Sequence, residues 1–149
     1  MPARDLLYTK QASHVSLPQS NDAMKLTHVC IITDDLERLT QFYRQVLQIE
    51  PEVYRDEYVE FPAGEGGTTL ALYSLESHGK VAPGTMEAAL NRSVQLKFMV
   101  ADVDQEYDRL RDLVSSWLLP PTDLPWGYRS IYFWDPDGNF INFYSGLDD

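Results

Sequence analysis

Residues 26–35 read LTHVCIITDD, and this stretch decides how the chain begins to fold. Residues 26–33 are mostly apolar or β-branched, a composition that favours a β-strand. Asp35 is of a residue type that caps helices, and apolar side chains follow it at steps of three and four over positions 36–47. The stretch therefore predicts a strand that leads directly into a helix with one buried face.

The residues that follow predict two more strands and then the same order again. Strands are expected at 53–61 and 68–74, on either side of a glycine-rich turn. A second unit begins with a strand at 93–100 and a helix capped by Asp102, and strands at 129–134 and 140–145 follow it. Loops are expected at 75–92 and 115–128, the second because Pro120 and Pro121 end the helical unit.

The two units recur at a nearly constant spacing. His28 lies 67 residues before Gln95, and Asp35 lies 67 residues before Asp102. In the later strands the offset is 71 residues, which a slightly longer second linker explains. A repeat of half a chain is typical of two modules that meet at a cleft.

Composition excludes several classes of protein. The chain has 23 acidic and 12 basic side chains and a net charge of −11, a poor match to the phosphates of nucleic acid. Its single cysteine, Cys30, can form neither an internal disulfide nor a thiolate metal cage. No apolar run approaches the roughly 20 residues of a membrane span, and no secretory signal is recognisable. We therefore expect a cytoplasmic protein with neither nucleic acid nor membrane as a partner.

The sequence divides into an arm and one domain. Residues 1–23 lack a sustained period and carry several Ser, Pro and Asn residues, which predicts an N-terminal arm dispensable to the core. Residues 24–149 are predicted to form a single domain, with module 1 at about 25–77 and module 2 at about 92–146.

Three stretches carry a resemblance to a known superfamily: residues 28–31 (HVCI), 42–47 (FYRQVL) and 135–141 (DPDGNFI). The last is the most specific, because Trp126-Gly127 and Arg129 precede it. Over about residues 25–145 the chain resembles the vicinal oxygen chelate superfamily, which includes glyoxalases, extradiol dioxygenases, fosfomycin resistance enzymes and bleomycin resistance proteins. The resemblance implies an α+β fold of paired βαβββ modules that form a curled mixed sheet around a cleft, and a homodimer.

The resemblance also implies four metal positions, which fall at His28, Ala71, Gln95 and Asn142. Of these only His28 is a strong ligand for a divalent metal, because amides bind such ions weakly and alanine has no donor. We therefore expect no metal cofactor. If a divalent metal does bind, we expect His28 to hold it, with Glu60 standing in for Ala71.

Strand alternation indicates which side chains face the cleft, because residues two apart share one face of a strand. The faces opposite the apolar core carry polar and aromatic residues, joined by Trp126 and Arg129 near the last turn. The predicted ligand-binding residues are His28, Gln95, Lys97, Asn142, Tyr73, Tyr132, Tyr144, Trp126 and Arg129.

The favoured hypothesis is a protein that binds a small, partly aromatic or hydrophobic molecule in the cleft between its modules without metal, similar to the bleomycin resistance proteins of the superfamily. Two alternatives stay open. One is a metal-dependent lyase or dioxygenase of the same superfamily, and the other is a subunit-interaction module with a vestigial pocket. His28 and Lys97 would supply an acid and a base if proton transfer occurs here. The sequence assigns no catalytic residue.

Overall fold

The computed structural model describes residues 24–147, and every structural statement below refers to that part of the chain. The predicted N-terminal arm, residues 1–23, lies outside the described residues. The elements follow in the order β1 (His28–Thr33), α1 (Leu36–Leu47), β2 (Glu52–Tyr54), β3 (Tyr58–Phe61), β4 (Thr69–Ser74), α2 (Leu75–Val81), β5 (Gln95–Met99), α3 (Val103–Leu110), β6 (Trp117–Asp123), β7 (Tyr128–Trp134) and β8 (Phe140–Gly146).

Each half of the described chain forms a four-stranded mixed sheet. The strand order is β1-β4-β3-β2 in module 1 and β5-β8-β7-β6 in module 2. In each sheet the first strand pairs in parallel with the last, and the other pairs are antiparallel. The predicted α+β fold of two βαβββ modules is therefore confirmed, and it consists of two open sheets rather than a closed barrel.

Helices α1 and α3 each cover one face of a sheet because the apolar residues of strands and helices fall on matching sides. Leu72 of β4 and Phe143 of β8 lie on this covered face and are buried, as are Leu39 and Val46 of α1. One cluster of buried apolar side chains runs through both modules. Both helix starts are as predicted, since Asp35 accepts a hydrogen bond from Arg38 N and Asp102 accepts one from the Gln105 backbone.

Hydrogen bonds from two side chains, Tyr43 and Arg109, connect the modules. The buried Tyr43 hydroxyl of α1 donates to Asp135 Oδ2 at 2.5 Å, just beyond β7. The Arg109 guanidinium of α3 donates to the carbonyls of Gln45 and Val46 at 3.0 and 2.8 Å. Those carbonyls belong to the last turn of α1, which has no partners for them within the helix. Each module thus completes the hydrogen bonding of the other.

The residues that carried the resemblance at positions 135–139 form the tight turn between β7 and β8. Asp135 Oδ1 accepts from the backbone N–H groups of Asp137 and Asn139 at 2.9 and 2.8 Å. Gly138 has φ +82°, a conformation that favours glycine. The motif is therefore a structural turn that is also bonded to α1 through Tyr43.

Two of the predicted boundaries are wrong in the sheets. The single strand expected at 53–61 is a hairpin of β2 and β3, because Arg55 and Asp56 both adopt positive φ between them. The loop expected at 115–128 contains β6, which includes Pro120 and Pro121. Proline lacks a donor but is tolerated at a sheet edge, and β6 is the edge strand of its sheet.

The loop expected at 75–92 begins with helix α2, which the sequence reading missed. Ser74 caps this helix, with its hydroxyl accepting from Ser77 N at 3.3 Å. At seven residues, α2 is too short to show a clear apolar period. None of the helices in the described part of the chain is long and apolar enough to cross a membrane.

Candidate functional site

The sheet faces opposite α1 and α3 carry most of the predicted site residues. In module 1, β1 contributes His28 and Cys30 to this face, and β3 contributes Glu60, whose Cα lies opposite Ala71 in the sheet register. We call this the module-1 face, made by β1, β3 and β4. The corresponding surface of β5, β7 and β8 is the module-2 face. Both follow from the alternation of side chains along strands.

An imidazole–carboxylate pair is the centre of the module-1 face. His28 Nε2 lies 3.0 Å from Glu60 Oε2, and the same oxygen accepts a hydrogen bond from the Tyr58 hydroxyl at 2.8 Å. The side chains of His28 and Glu60 are 42% and 22% exposed, so the pair remains open to solvent on one side. The other ring nitrogen of His28, Nδ1, lies 2.8 Å from the Thr27 hydroxyl. Both nitrogens of the ring therefore have a partner.

Tyrosines extend the module-1 face on either side of Glu60. The Tyr58 ring makes an edge contact with Tyr73 at 5.8 Å, and Tyr73 makes another with His78 at 5.8 Å. Desolvation, with the hydrogen bond to Glu60 next, raises the pKa of Tyr58 above its usual range, so its hydroxyl remains a hydrogen-bond donor to Glu60 even in alkaline solution. Burial raises the pKa of the Cys30 thiol, which disfavours the nucleophilic thiolate.

The module-2 face is formed by amide and aromatic side chains. Asn142 Nδ2 donates to Gln95 Oε1 at 2.7 Å. Asn142 Oδ1 is buried and has no hydrogen-bond partner among the described residues. Lys97 Nζ lies 4.7 Å from the centre of the Tyr144 ring and 5.4 Å from that of Tyr128, in cation–π contact with both. The predicted residues Gln95, Lys97, Asn142 and Tyr144 are thus neighbours.

The other predicted residues are placed differently. Tyr132 lies on the module-2 face with its ring 4.9 Å from that of Phe140. Trp126 is half-buried in the loop between β6 and β7. Arg129 is on the helix-covered side, where its guanidinium pairs with Asp104 of α3 and with Asp123, both at 2.8 Å. The structure therefore does not bring Arg129 together with His28, Gln95 and Asn142.

A cavity separate from the two open faces lies between β1 and β5, which are edge strands of the two sheets. It has a volume of about 260 Å³ and is lined mainly by apolar side chains of β1, β5 and residues 86–94. Cys30 lines it, but His28, Gln95 and Asn142 do not. The polar chemistry of the chain is therefore on the two open faces rather than in this cavity.

Comparison with known proteins agrees with this architecture. The model of the Glyoxalase/Bleomycin resistance protein/Dioxygenase superfamily matches residues 25–143. The chain belongs to this superfamily. No curated protein sequence matches the chain.

Solved structures of the superfamily have the same fold. A glyoxalase/bleomycin resistance protein/dioxygenase from Nocardioides is 26% identical, with TM-score 0.71, and the match covers 98% of this chain and 94% of that one. A glyoxalase-related enzyme from Fulvimarina pelagi is 20% identical, with TM-score 0.71 and coverage of 83% and 89%. A family enzyme from Burkholderia phytofirmans PsJN is 16% identical, with TM-score 0.73 and coverage of 83% and 100%. The last two likenesses concern the fold alone.

The side chains at and beside the four positions that the resemblance assigns to a metal do not make a suitable metal site. Module 1 offers one imidazole and one carboxylate, His28 and Glu60, whereas module 2 offers only the neutral amides Gln95 and Asn142, which bond to each other. Among the described residues, no group of three or more His, Cys, Asp or Glu side chains is placed to hold a metal ion. A single carboxylate offsets little of the desolvation cost of a divalent cation. These side chains therefore do not fit a divalent metal ion.

Sequence reasoning identified Glu60 only as a substitute metal ligand and missed Tyr58 altogether. Both lie on β3 two residues apart, so they share a face. The strand expected at 53–61 also contains both residues, so the same alternation was available from the sequence. Once Glu60 is assigned to the open face, alternation identifies Tyr58 as its neighbour on that face.

Proposed function

We propose that this superfamily member binds a small, partly aromatic or hydrophobic molecule on the open faces of its two modules, without a metal cofactor. The observation that carries the proposal is the neutral amide pair of Gln95 and Asn142. These side chains are weak ligands for a metal but good hydrogen-bonding groups for an organic molecule.

The surroundings of the amide pair support an organic ligand. Tyr144 and Tyr128 lie with their ring centres 4.9 Å apart, and Tyr132 packs against Phe140 at the same distance. Such rings provide broad apolar contact, while a few polar groups fix the orientation of a bound molecule. On the module-1 face, His28 and Glu60 add a second polar contact point.

The test combines metal analysis with a thermal-shift panel on untagged full-length protein. We expect no stoichiometric divalent metal, and we expect at least one aromatic or hydrophobic compound to raise the melting temperature, because a ligand that binds only the folded state stabilises it. The proposal is overturned if one Zn, Ni, Mn or Fe per chain is present and is lost in His28→Ala but not in the control His78→Ala. It is also overturned if no compound of the panel shifts the melting temperature.

A metal-dependent lyase or dioxygenase is the second candidate, and the contact of His28 with Glu60 is the observation that favours it. An imidazole and a carboxylate on one face are two ligands of the kind that divalent metals prefer. The same metal analysis separates the two candidates. The predicted homodimer is a separate matter, tested by light scattering of the purified chain.

A further inference from the structure

We propose that the module-2 face recognises a planar aromatic carboxylate that also carries a hydroxyl or amino donor. In this arrangement Lys97 holds the carboxylate and Asn142 Oδ1 accepts from the donor. This inference rests on the proposed function, because it specifies the ligand class of the same site.

Lys97 supplies the first half of the argument. Its ammonium group lies against the rings of Tyr144 and Tyr128, and among residues 24–147 it has no carboxylate in ion-pair contact. A cation held over aromatic rings without an anion is ready to pair with the carboxylate of a ligand.

The distribution of charge fixes which end of the ligand lies at Lys97. No acidic residue occurs at the face positions of β5, β7 and β8 in module 2. The module-1 face, in contrast, presents the carboxylate of Glu60 beside His28. The chain has a net charge of −11, but the face around Lys97 carries no acidic side chain. This face therefore favours the binding of an anionic ligand.

Asn142 supplies the second half. Its side chain is 4% exposed, its Nδ2 already donates to Gln95, and its Oδ1 has no partner among the described residues. A buried carbonyl oxygen without a hydrogen bond is costly, so a ligand group that donates to it gains binding energy. A hydroxyl or amino group on the ring meets that requirement, whereas an unsubstituted benzoate does not.

The spacing of the two contact points suits one benzene ring. Lys97 pairs with Asn142 in the parallel register of β5 and β8, but its ammonium group extends to Tyr144, two residues further along β8. Two residues of a strand correspond to about 6.6 Å. A ring with a carboxylate on one side and a donor on the other spans this distance, and Tyr128 and Tyr144 provide flat surface for it.

The experiment is a calorimetric titration of the full-length protein in excess EDTA with 4-hydroxybenzoate, 3-hydroxybenzoate, benzoate and phenol. We expect at least one hydroxybenzoate to bind about tenfold more tightly than both benzoate and phenol, the factor that a hydrogen bond to a charged or buried group provides. Lys97→Met should remove the advantage over phenol. Lys80→Met, which removes an exposed lysine of α2, should not.

A second variant tests the amide. Asn142→Leu should remove the advantage of hydroxybenzoate over benzoate while leaving the Lys97-dependent advantage over phenol. The comparison of ligands on the wild-type protein needs no variant. The inference can therefore be refuted even if Asn142→Leu folds poorly.

Three outcomes overturn the inference: phenol binding as tightly as both hydroxybenzoates, benzoate binding as tightly as both, or Lys97→Met leaving the ratios unchanged. In those cases a neutral aromatic ligand that binds in EDTA would still support the proposed function. If ligands bind only after a divalent metal is added, the proposed function itself fails.

Discussion

Removing one hydroxyl group tests how the two modules are joined. Tyr43→Phe deletes the hydrogen bond from α1 to Asp135 Oδ2, which then retains only the contact from Asn139 Nδ2 at 2.8 Å. A hydrogen bond to a charged group contributes about 1.5–3 kcal/mol, and both partners here are buried, so we expect a loss near the middle of that range. For a chain of this size, ~2 kcal/mol corresponds to a melting temperature lower by roughly 6 °C.

The pH dependence of this loss gives the prediction a specific signature. Burial, followed by the charge of Asp135 and its hydrogen bond, raises the pKa of Tyr43 well above its ordinary value of 10.0. Above that pH the unfolded chain loses the tyrosine proton while the folded chain keeps it, so wild-type stability falls as pH rises. The phenylalanine variant lacks this proton. The difference between the two proteins should therefore be full at neutral pH and shrink above pH 10.

Urea denaturation from pH 7 to 11 measures the effect, with Tyr107→Phe as the control. The Tyr107 ring packs on Trp117 at 4.8 Å, and no hydrogen bond of its hydroxyl contributes to the contacts between modules. The control should change stability by less than about 0.5 kcal/mol. A Tyr43→Phe variant as stable as the control, or a loss that stays constant above pH 10, would refute the reasoning.

Three further substitutions test other contacts. Arg109→Met removes two hydrogen bonds to the last carbonyls of α1, together with the ion pair to Glu106, and should cost about 1–2 kcal/mol in chemical denaturation, whereas the exposed Arg111→Met should cost almost nothing. Gly138→Ala places a Cβ 2.9 Å from a guanidinium nitrogen at φ +82° and should lower the unfolding free energy by about 1–3 kcal/mol; an unchanged melting curve would contradict the turn geometry. The hydrogen bond from Arg129 lowers the pKa of Asp104, so Arg129→Gln should raise that pKa in an NMR titration, and an unshifted titration would contradict the ion pair.

Strong local signals made most of the fold predictable. Asp35 and Asp102 cap helices that follow predicted strands, and the 67-residue offset between them indicates two modules from the sequence alone. The failures occurred where tertiary context overrides local preference. Pro120 and Pro121 are tolerated in β6 because it is an edge strand whose pairing with β7 is irregular between Leu119 and Thr122, and both features are properties of the assembled sheet.

The candidate site was predictable in its faces but not in its pairings. Alternation placed Gln95 and Asn142 on one surface, yet their contact depends on the parallel register of β5 and β8. Arg129 precedes the turn motif by only a few residues, but it points to the opposite side of β7 and pairs with Asp104. Partners distant in the chain are fixed by strand pairing, which the sequence alone leaves open.

The most direct test of metal-independent ligand binding is the dissociation constant of a panel ligand measured with and without excess EDTA. The neutral Gln95–Asn142 pair leads us to expect the same value in both conditions. Binding that disappears in EDTA and returns with a stoichiometric divalent metal would contradict the account.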